Sequence, residues 1–463
     1  MRCLVIDLGA GSGRAMLAEF VDGRLSIRAL TRFTGYEVRE ADGPAWSIDI
    51  IRDGIRKGLE TAASFGAVDS VAIDSWGVDF VLIDAKGDIV DPPRTYRHPR
   101  GGVGLAALAA HHDRIAARTG LQIIPIATLF HLSQWAKDNP DKLERAEQVL
   151  MIADYFAFAL SGVARCERTL ARTTGFLSVE TNDWDEEIID LASLPQRIFG
   201  PIVPAGTVLG PLRPDLASLP GLDGTRVVSA AGHDTACAAF ALAPEPGEAF
   251  AVCGSWNLLG VDVPAGYLPE ETGPWGFGLE GGVGARAILD RALPGLFLMR
   301  RLQDSLAARR GETVDFARLS ALALAADPST PAIAPSDPLF FDPVDMVAAM
   351  EDHLPSLKGA SIGALARSLY VGLAREAGET IRQLGLLSGR AIHTVRVGGG
   401  GSQDPAWMQL LAEETGCRVV AGPVEASVVG NALIQLTALG AIPSLEAAQA
   451  LARAGAGMEP VIG

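Results

Sequence analysis

The stretch VIDLGAGSGRAML (residues 5–17) decides the fold of this chain. An apolar run contains Asp7, a turn with three glycines and one serine follows, and a second apolar run begins after Arg14. Such a turn presents several backbone N–H groups, an arrangement that suits phosphate. A phosphate-bound Mg²⁺ prefers one or two carboxylates, and Asp7 stands beside the turn. The stretch therefore predicts a β-hairpin that is either a phosphate loop or an ordinary turn.

The turn is neither of the two common phosphate loops. No Gly-Lys-Ser/Thr follows, the Gly-x-Gly-x-x-Gly pattern is absent, and the next segment has the pattern of a strand. A second hairpin of the same kind is predicted at AFAVCGSWNLLGV (residues 249–261). Two such hairpins half a chain apart indicate a duplicated fold with two phosphate loops.

Length and charge restrict the class of protein. The 463 residues favour two or three domains, and the net charge of −16 argues against non-specific binding to nucleic acid or to anionic membranes. The five cysteines are scattered and fit neither a disulfide framework nor a zinc site. With no signal peptide and no membrane-spanning stretch in the sequence, we expect a cytoplasmic protein.

Strand-like and helix-like stretches alternate along the chain, which predicts an α/β fold. A strand is predicted at 394–397, followed by four glycines and by a helix that starts at Asp404. The segment 201–224 is rich in proline and glycine and predicts an irregular surface connection. The segment APEPG (residues 243–247) is the predicted hinge between the two halves.

The segment GHDTA (residues 232–236) lies between a predicted strand and a predicted helix. Asp234 is either the N-cap of that helix or a carboxylate that accepts a hydroxyl proton during phosphoryl transfer. His233 taken alone is more often structural.

Three further segments leave two interpretations each. DSWGVD (residues 74–79) predicts either a sugar platform or a buried tryptophan at a turn. YRHPR (residues 96–100) offers two guanidinium groups, either for a ligand or for surface ion pairs. The small residues of AGPVEASVVGNA (residues 421–432) allow either close core packing or space for an adenine.

The order and spacing of these motifs resemble those of the FGGY carbohydrate kinases, from residue 4 to about residue 440. Segments 74–84, 152–156 and 421–427 look most like the rhamnulokinase branch of that family. The resemblance implies two actin/hexokinase-like (ribonuclease H-like) α/β domains with an active-site cleft between them. It places a sugar-binding and catalytic-base domain at 1–243, a nucleotide-binding domain at 248–440 and a helical tail at 441–463.

The resemblance and the residue patterns together imply a set of site residues, with ATP and Mg²⁺ as cofactors. Asp234 is the expected catalytic base, and Asp7 is expected near Mg²⁺. The expected nucleotide contacts are Ala10, Gly11, Ser12, Gly13, Arg14, Ser255, Arg300, Gly400 and Gly401. The expected sugar contacts are Trp76, Gly77, Asp79, Arg97, His233 and Thr235.

Several positions depart from the rhamnulokinase pattern. Ala292 stands where a sugar-binding asparagine is usual, Arg300 replaces a glutamine, and Asp404 replaces an asparagine. His98 and Pro99 also differ, and lost hydrogen-bond partners change which sugar fits.

The resemblance implies an ATP-dependent ketose kinase that makes L-rhamnulose 1-phosphate from L-rhamnulose. The alternatives are a kinase for L-fuculose, L-ribulose or L-xylulose, and a non-catalytic regulator that binds ATP and sugar. The expected partners are the sugar and ATP, without nucleic acid or membrane, and the expected state is a monomer or a homodimer.

Overall fold

The computed structural model describes residues 1–311 and 313–455. Its contacts divide the chain into two units. The first unit consists of Met1–Ala243, Val263–Ile288 and the chain from Ser427 onward. The second unit consists of Pro244–Asp262 and Leu289–Ala426.

The strands alternate with helices along the chain. The strands are β1 (Arg2–Leu8), β2 (Ser12–Val21), β3 (Arg24–Thr34), β4 (Glu37–Glu40), β5 (Gly43–Trp46), β6 (Ser70–Ser75), β7 (Phe80–Ile83), β8 (Gln148–Met151), β9 (Cys166–Glu167), β10 (Ile202–Val203), β11 (Thr207–Pro211), β12 (Arg226–Ser229), β13 (Glu248–Cys253), β14 (Trp256–Pro264), β15 (Gly278–Gly281), β16 (Arg286–Pro294), β17 (Thr394–Gly398) and β18 (Arg418–Ala421). The helices are α1 (Ile48–Ala63), α2 (Arg100–Ala107), α3 (His112–Thr119), α4 (Thr128–Asp138), α5 (Pro140–Arg145), α6 (Ile152–Ser161), α7 (Arg168–Thr173), α8 (Glu186–Leu191), α9 (Pro214–Ala217), α10 (Asp234–Leu242), α11 (Phe297–Arg310), α12 (Phe316–Ala325), α13 (Met346–His353), α14 (Ile362–Ser388), α15 (Pro405–Thr415), α16 (Ala426–Ala438) and α17 (Leu445–Ala454).

The first unit is built on a six-stranded sheet in the order β11-β12-β6-β1-β2-β3. Strands β1, β2 and β3 form an antiparallel meander, and β6 runs parallel to β1 on its other side. The hairpin predicted at residues 5–17 is confirmed, with Asp7 directly opposite Arg14. Helix α1 begins at the N-cap Ser47 and buries Ile51, Ile55 and Leu59 in the core.

The second large sheet has the order β15-β16-β14-β13-β17-β18. Its central strand β13 pairs antiparallel with β14 and parallel with β17, as β1 pairs with β2 and β6. The predicted second hairpin and the predicted strand at 394–397 are therefore confirmed. Strand β15 lies wholly within the residues of the first unit, and β14 and β16 each have one end there.

The segment 201–224 corrects one prediction. It contains two strands and a short helix, where the sequence predicted an irregular connection. Strand β11 pairs antiparallel with β12 and has an irregular register between Val208 and Gly210. It is the edge strand of its sheet, and an edge tolerates proline and glycine because one side needs no ladder hydrogen bonds.

The small residues near 430 pack helix α16 against helix α10. A Cβ at Gly430 would collide with the backbone carbonyl of Cys237. Of the two interpretations of this segment, the structure supports core packing.

The predicted tail at 441–463 contains α17, and its residues 456–463 lie outside the described residues. Within the predicted domain at 248–440, residues 263–288 and 427–440 belong to the first unit. Among the described helices, none is long and apolar enough to span a membrane.

Candidate active site

The first glycine turn places the acidic side chain of Asp7 next to the basic side chain of Arg14. Arg14 forms an ion pair with Asp7, and Ser427 Oγ donates a hydrogen bond to Asp7 Oδ2 at 2.9 Å. The turn is closed by Gly9 N, which donates to the carbonyl of Ser12 at 3.1 Å. The hydroxyl of Tyr36 also donates to the carbonyl of Gly9. These bonds fix the turn at the end of β1.

The predicted nucleotide contacts of this turn differ in their surroundings. Gly13 is explained by packing, because a Cβ there would collide with the ring of Phe33. At Gly11 no atom of the described residues lies within 4 Å of an added Cβ. Ser12 Oγ accepts a hydrogen bond from Arg32 Nη2 at 3.0 Å. The turn therefore has open space above Gly11, where its backbone is accessible.

A second carboxyl lies behind Asp7. Asp74 on β6 pairs in register with Asp7 on β1 and is fully buried. Its Oδ2 accepts a hydrogen bond from Asn431 Nδ2 at 2.6 Å, and its Oδ1 has no partner among the described residues. Burial and the charge of Asp7 raise the pKa of Asp74 well above its ordinary value. The raised pKa favours the protonated, uncharged form of Asp74.

Asp234 is the first residue of α10, and the N-cap position belongs to His233. The N-cap interpretation of Asp234 is therefore wrong. Its Oδ1 accepts hydrogen bonds from Thr235 N at 2.6 Å and from Thr235 Oγ1 at 3.3 Å. Among the described residues nothing bonds its Oδ2, and 31% of the side chain is exposed. Burial raises the pKa of Asp234 to about 6, although the positive charge of His233 opposes the shift.

His233 lies between two acids. Its Nε2 is 3.5 Å from Asp234 Oδ1, and its Nδ1 is 3.2 Å from Glu280 Oε2. Burial disfavours the charged imidazole, but the charges of Glu280 and Asp234 prevail and raise the pKa of His233 to about 9. His233 is therefore an imidazolium at neutral pH.

The backbone before Asp234 is held by Glu167, the N-cap of α7. Glu167 Oε2 accepts hydrogen bonds from Gly232 N at 2.9 Å and from Thr169 N at 2.8 Å. Thr169 Oγ1 in turn accepts from His233 N at 3.1 Å. No sequence motif marks Glu167, Thr169 or Glu280, and each lies far along the chain from residues 232–236, so these residues could not be predicted from the sequence.

The segment 74–79 forms a buried aromatic cluster. The indole Nε1 groups of Trp46 and Trp76 both donate to Asp79 Oδ2, at 2.7 Å and 2.8 Å. Trp76 is only 7% exposed, and burial raises the pKa of Asp79 to about 7. A Cβ at Gly77 would lie 2.9 Å from Thr173 Cγ2. The geometry matches the buried-tryptophan interpretation, and the sugar contacts at Trp76, Gly77 and Asp79 stay predictions.

The predicted ligand contact Arg97 lies on the surface of the first unit. Its Nη1 forms an ion pair with Glu37 at 3.0 Å, and its guanidinium lies over the ring of Tyr96. This is the geometry of a surface ion pair, so the role of Arg97 toward a sugar stays a prediction. Arg100 is more enclosed and donates to His131 Nδ1 at 3.2 Å.

The second unit brings the Gly-Ser turn next to the start of α11. Leu296 N donates to the carbonyl of Gly254 at 2.9 Å, and Phe297 N donates to the carbonyl of Ser255 at 3.3 Å. Arg300, on the exposed side of α11, lies 3.4 Å from Asp304. Ser255 is exposed at the tip of this turn.

The four-glycine segment packs against the Gly-Ser hairpin. A Cβ at Gly399 would lie 2.5 Å from the carbonyl oxygen of Cys253, and one at Gly401 would lie 2.5 Å from Cys253 Cβ. At Gly400, an added Cβ would have no atom within 4 Å in the part of the chain that the structure describes. Asp404 is the N-cap of α15, as predicted, and accepts further hydrogen bonds from Tyr370 and Ser320. Packing thus explains Gly399 and Gly401 and leaves Gly400 open to a ligand.

Comparison with known proteins decides the family. Residues 2–241 match the N-terminal domain of the FGGY family of carbohydrate kinases, and residues 249–439 match its C-terminal domain. The chain belongs to the FGGY family. As an FGGY carbohydrate kinase it is an ATP-dependent sugar phosphotransferase, and the predicted two-domain α/β fold is confirmed.

Similar proteins cover almost the whole of this FGGY kinase. A rhamnulokinase of Yersinia pestis (strain Pestoides F) is 34% identical over 95% of this chain and 90% of its own length. A rhamnulokinase of Bacteroides thetaiotaomicron is 31% identical over 94% of this chain and 90% of its own length. The structure of a ligand-bound xylulose kinase from Lactobacillus acidophilus has a TM-score of 0.81 at 14% identity. It covers 98% of this chain and 91% of that kinase. This last likeness concerns the fold alone.

The acids of this FGGY kinase suit a magnesium ion that arrives with nucleotide. No group of three or more metal-binding side chains occurs among the residues that the structure describes. Asp7 and Asp74 nevertheless lie in register, and the charge of Asp7 raises the pKa of Asp74. A cation bound near them would favour the ionised form of both carboxyl groups. The donor set therefore fits Mg²⁺ that takes most of its ligands from phosphate and water.

Proposed function

We propose that this kinase phosphorylates a ketose with Asp234 as the general base, and that L-rhamnulose is its preferred substrate. The curated relatives at 31–34% identity are rhamnulokinases, which favours that sugar. By the same analogy, the product is L-rhamnulose 1-phosphate.

The observation that carries the proposal is the state of the Asp234 carboxylate. Its Oδ1 is fixed by Thr235, while its Oδ2 has no described partner. A pKa of about 6 leaves the group ionised at neutral pH and still basic enough to accept a proton. A carboxylate held in this way suits the transfer of a proton from a hydroxyl.

The reaction follows from that role. The ketose hydroxyl oxygen bonds to the γ-phosphorus of ATP while the bond from that phosphorus to the β–γ bridging oxygen breaks. The hydroxyl proton goes to Asp234 Oδ2, and ADP leaves with the electron pair of the broken bond. Little covalent work falls to the protein, so positioning and charge stabilisation supply most of the catalysis.

The nucleotide contacts are proposed in each unit separately. In the first unit, the turn from Ala10 to Arg14 offers backbone N–H groups to phosphate. In the second, the proposed contacts are Ser255, Arg300, Gly400 and Gly401. Asp7 is the proposed partner of Mg²⁺, which would neutralise phosphate charge.

The identity of the sugar rests on positions that depart from the relatives' pattern. Ala292 is an exposed residue on β16 and brings no hydrogen-bonding side chain. His98 is engaged within the first unit, where its Nδ1 accepts a hydrogen bond from Arg100 N at 3.2 Å. L-fuculose, L-ribulose and L-xylulose are therefore the competing substrates to test.

Asp234→Asn tests the proposed base. The amide cannot take the hydroxyl proton, so we expect kcat in a coupled ADP-release assay to fall by about 10²-fold or more. Asp190→Asn, at an exposed position on α8, is the matched control and should keep wild-type turnover. Near-normal turnover of folded Asp234→Asn would disprove the role of Asp234.

A further inference from the structure

We propose that Glu280 is a positioning residue of the sugar site, which holds His233 by its Nδ1 and so fixes the His233–Asp234 pair that meets the sugar. The proposal rests on the function proposed above for Asp234. It adds a residue from the second half of the chain to a site built on the first.

Glu280 lies in the segment 263–288. This segment follows the second hairpin in sequence, yet it belongs to the first unit. On one side of Glu280, Leu279 N donates to the carbonyl of Gly120 at 2.9 Å. On the other side, Gly281 is so close to α7 that a Cβ would lie 2.5 Å from Thr169 Cα. Strand β15 is thus anchored on both sides of the carboxylate.

His233 has little freedom to adopt another orientation. Its backbone N–H is bonded to Thr169, and its side chain is only 8% exposed. Glu280 Oε2 lies 3.2 Å from Nδ1, while Asp234 Oδ1 lies 3.5 Å from Nε2. Acids at both ring nitrogens favour the form in which both nitrogens carry protons. The Glu280 contact is an ion pair rather than a hydrogen bond, since neither Nδ1 nor Oε2 has a hydrogen-bond partner among the described residues, and it favours the charged ring in this orientation.

Acids on several elements act on this pair, and the buried Asp74 on β6 also interacts electrostatically with Asp234. Glu280 on β15, Asp234 on α10 and Glu167 before α7 all raise the pKa of His233, and Glu280 acts most strongly. Asp7 on β1 and Glu280 raise the pKa of Asp234, whereas the positive charge of His233 lowers it. The charge of His233 affects the pKa of Asp234 more strongly than the charge of Glu280 does. A neutral His233 would therefore raise the pKa of Asp234 and make it harder to ionise.

The two substitutions at Glu280 separate charge from contact. Glu280→Gln keeps the shape of the side chain and an amide oxygen near Nδ1 but removes the charge, so His233 should lose its proton at lower pH. Glu280→Ala removes both the contact and the charge. Glu270→Gln is the matched control, because Glu270 is an exposed acid in the same segment, 263–288.

The first readout is the protonation of His233, followed by ¹H–¹⁵N NMR of the imidazole, with His233→Gln to assign it among the seven histidines. In the wild type the ring should stay charged to about pH 9. In Glu280→Gln its midpoint should fall by about one pH unit or more, a shift that stands for a lost charge interaction. An unchanged midpoint would overturn the proposal, whatever the activity.

The second readout is steady-state kinetics with the preferred ketose. Glu280→Ala should raise the KM for the sugar by about tenfold or more and leave the KM for ATP within about twofold, because a misplaced His233 weakens sugar binding alone. Glu280→Gln should retain more sugar affinity than Glu280→Ala. On the alkaline side of the pH profile, its activity should fall at a lower pH than that of the wild type, because His233 loses its proton earlier. An active wild type whose kinetics are untouched by both changes would refute the role of Glu280. A wild type inactive on every ketose, with the NMR shift present, would refute the proposed function and leave the His233 contact standing.

Discussion

At the scale of single residues, burial and charge decide how each carboxyl behaves. Asp234 is partly enclosed and ionises at about pH 6, so it is charged at neutral pH. Asp154 is buried beside Glu167, and burial together with the charge of Glu167 raises its pKa well above the ordinary value. Asp234 can therefore exchange a proton near neutral pH, whereas Asp154 keeps its proton.

The first prediction at this scale concerns the pH dependence of catalysis. Because the pKa of Asp234 is raised to about 6, the base is protonated and inactive below that pH. We expect kcat/KM for the sugar to fall on the acid side with a midpoint near pH 6, measured by ADP release at saturating ATP. A midpoint near pH 4 would show that the group responsible is an ordinary exposed carboxyl and not Asp234.

The second prediction concerns stability. An acid whose pKa is higher in the folded state than in the unfolded chain, where it is about 3.9, binds a proton on folding, so it favours folding most at low pH. That contribution is lost as the pH rises through the folded pKa, where Asp154 must lose its proton while buried. Asp154→Asn removes this penalty, because an amide does not ionise as the pH rises. The amide oxygen can still accept the hydrogen bond from Glu167 N.

Urea unfolding of Asp154→Asn and wild type at pH 5 and pH 8 tests this prediction. We expect the variant to gain about 1 kcal/mol relative to wild type between the two pH values. Asp190→Asn again serves as the exposed control. A relative loss of stability at the higher pH would contradict the assignment of a protonated Asp154.

At the scale of elements, both hairpins can be predicted from sequence because they are local. Residues 5–17 and 249–261 carry their turn glycines and apolar strands within a few positions of one another. The individual role of each glycine cannot be predicted in this way. Gly13 and Gly399 are required by neighbours that lie 20 or more residues away along the chain, whereas Gly11 and Gly400 border open space.

This difference predicts that alanine substitutions at the neighbouring residues Gly399 and Gly400 have different effects. Gly399 has a φ of +78°, and its added Cβ would meet the Cys253 carbonyl, so Gly399→Ala should cost about 2 kcal/mol or more of folding stability. Gly400→Ala should change stability by less than about 0.5 kcal/mol and raise the KM for ATP, because its Cβ would enter space proposed for nucleotide. Thermal unfolding and ATP kinetics of the two variants test both statements. Equal stability losses, or an unchanged KM in Gly400→Ala, would contradict this account of the loop.

At the scale of the whole molecule, the C-terminal part of the chain completes the first unit. Ser427, Asn431 and Gln435 of α16 bond Asp7, Asp74 and Ser70 of the first sheet. No pattern in residues 421–432 names these partners, which lie more than 350 positions away. Glu280 reaches His233 across a shorter but similarly unmarked distance. The family's motifs could therefore be predicted from sequence, while the residues that support them could not.

This long-range contact predicts a stability effect on α16. Asn431→Leu removes the donor to the buried Asp74 and the acceptor for Gln435 Nε2. We expect it to cost about 2 kcal/mol or more in urea unfolding, since a buried carboxyl is left with no donor. Thr437→Val is the control, because within the described part of the chain its hydroxyl bonds only the Leu433 carbonyl of the same helix. A variant Asn431→Leu as stable as the control would show that this bond contributes little.

We propose that this FGGY chain is a ketose kinase whose preferred substrate is L-rhamnulose. ADP release from Mg·ATP by the wild-type protein should be compared across L-rhamnulose, L-fuculose, L-ribulose and L-xylulose. We expect the highest kcat/KM with L-rhamnulose, which would mean that the site accepts Ala292 in place of the usual asparagine. A clear preference for another ketose would contradict the substrate assignment, and no turnover with any sugar by a protein that binds ATP would contradict the proposed catalytic role altogether.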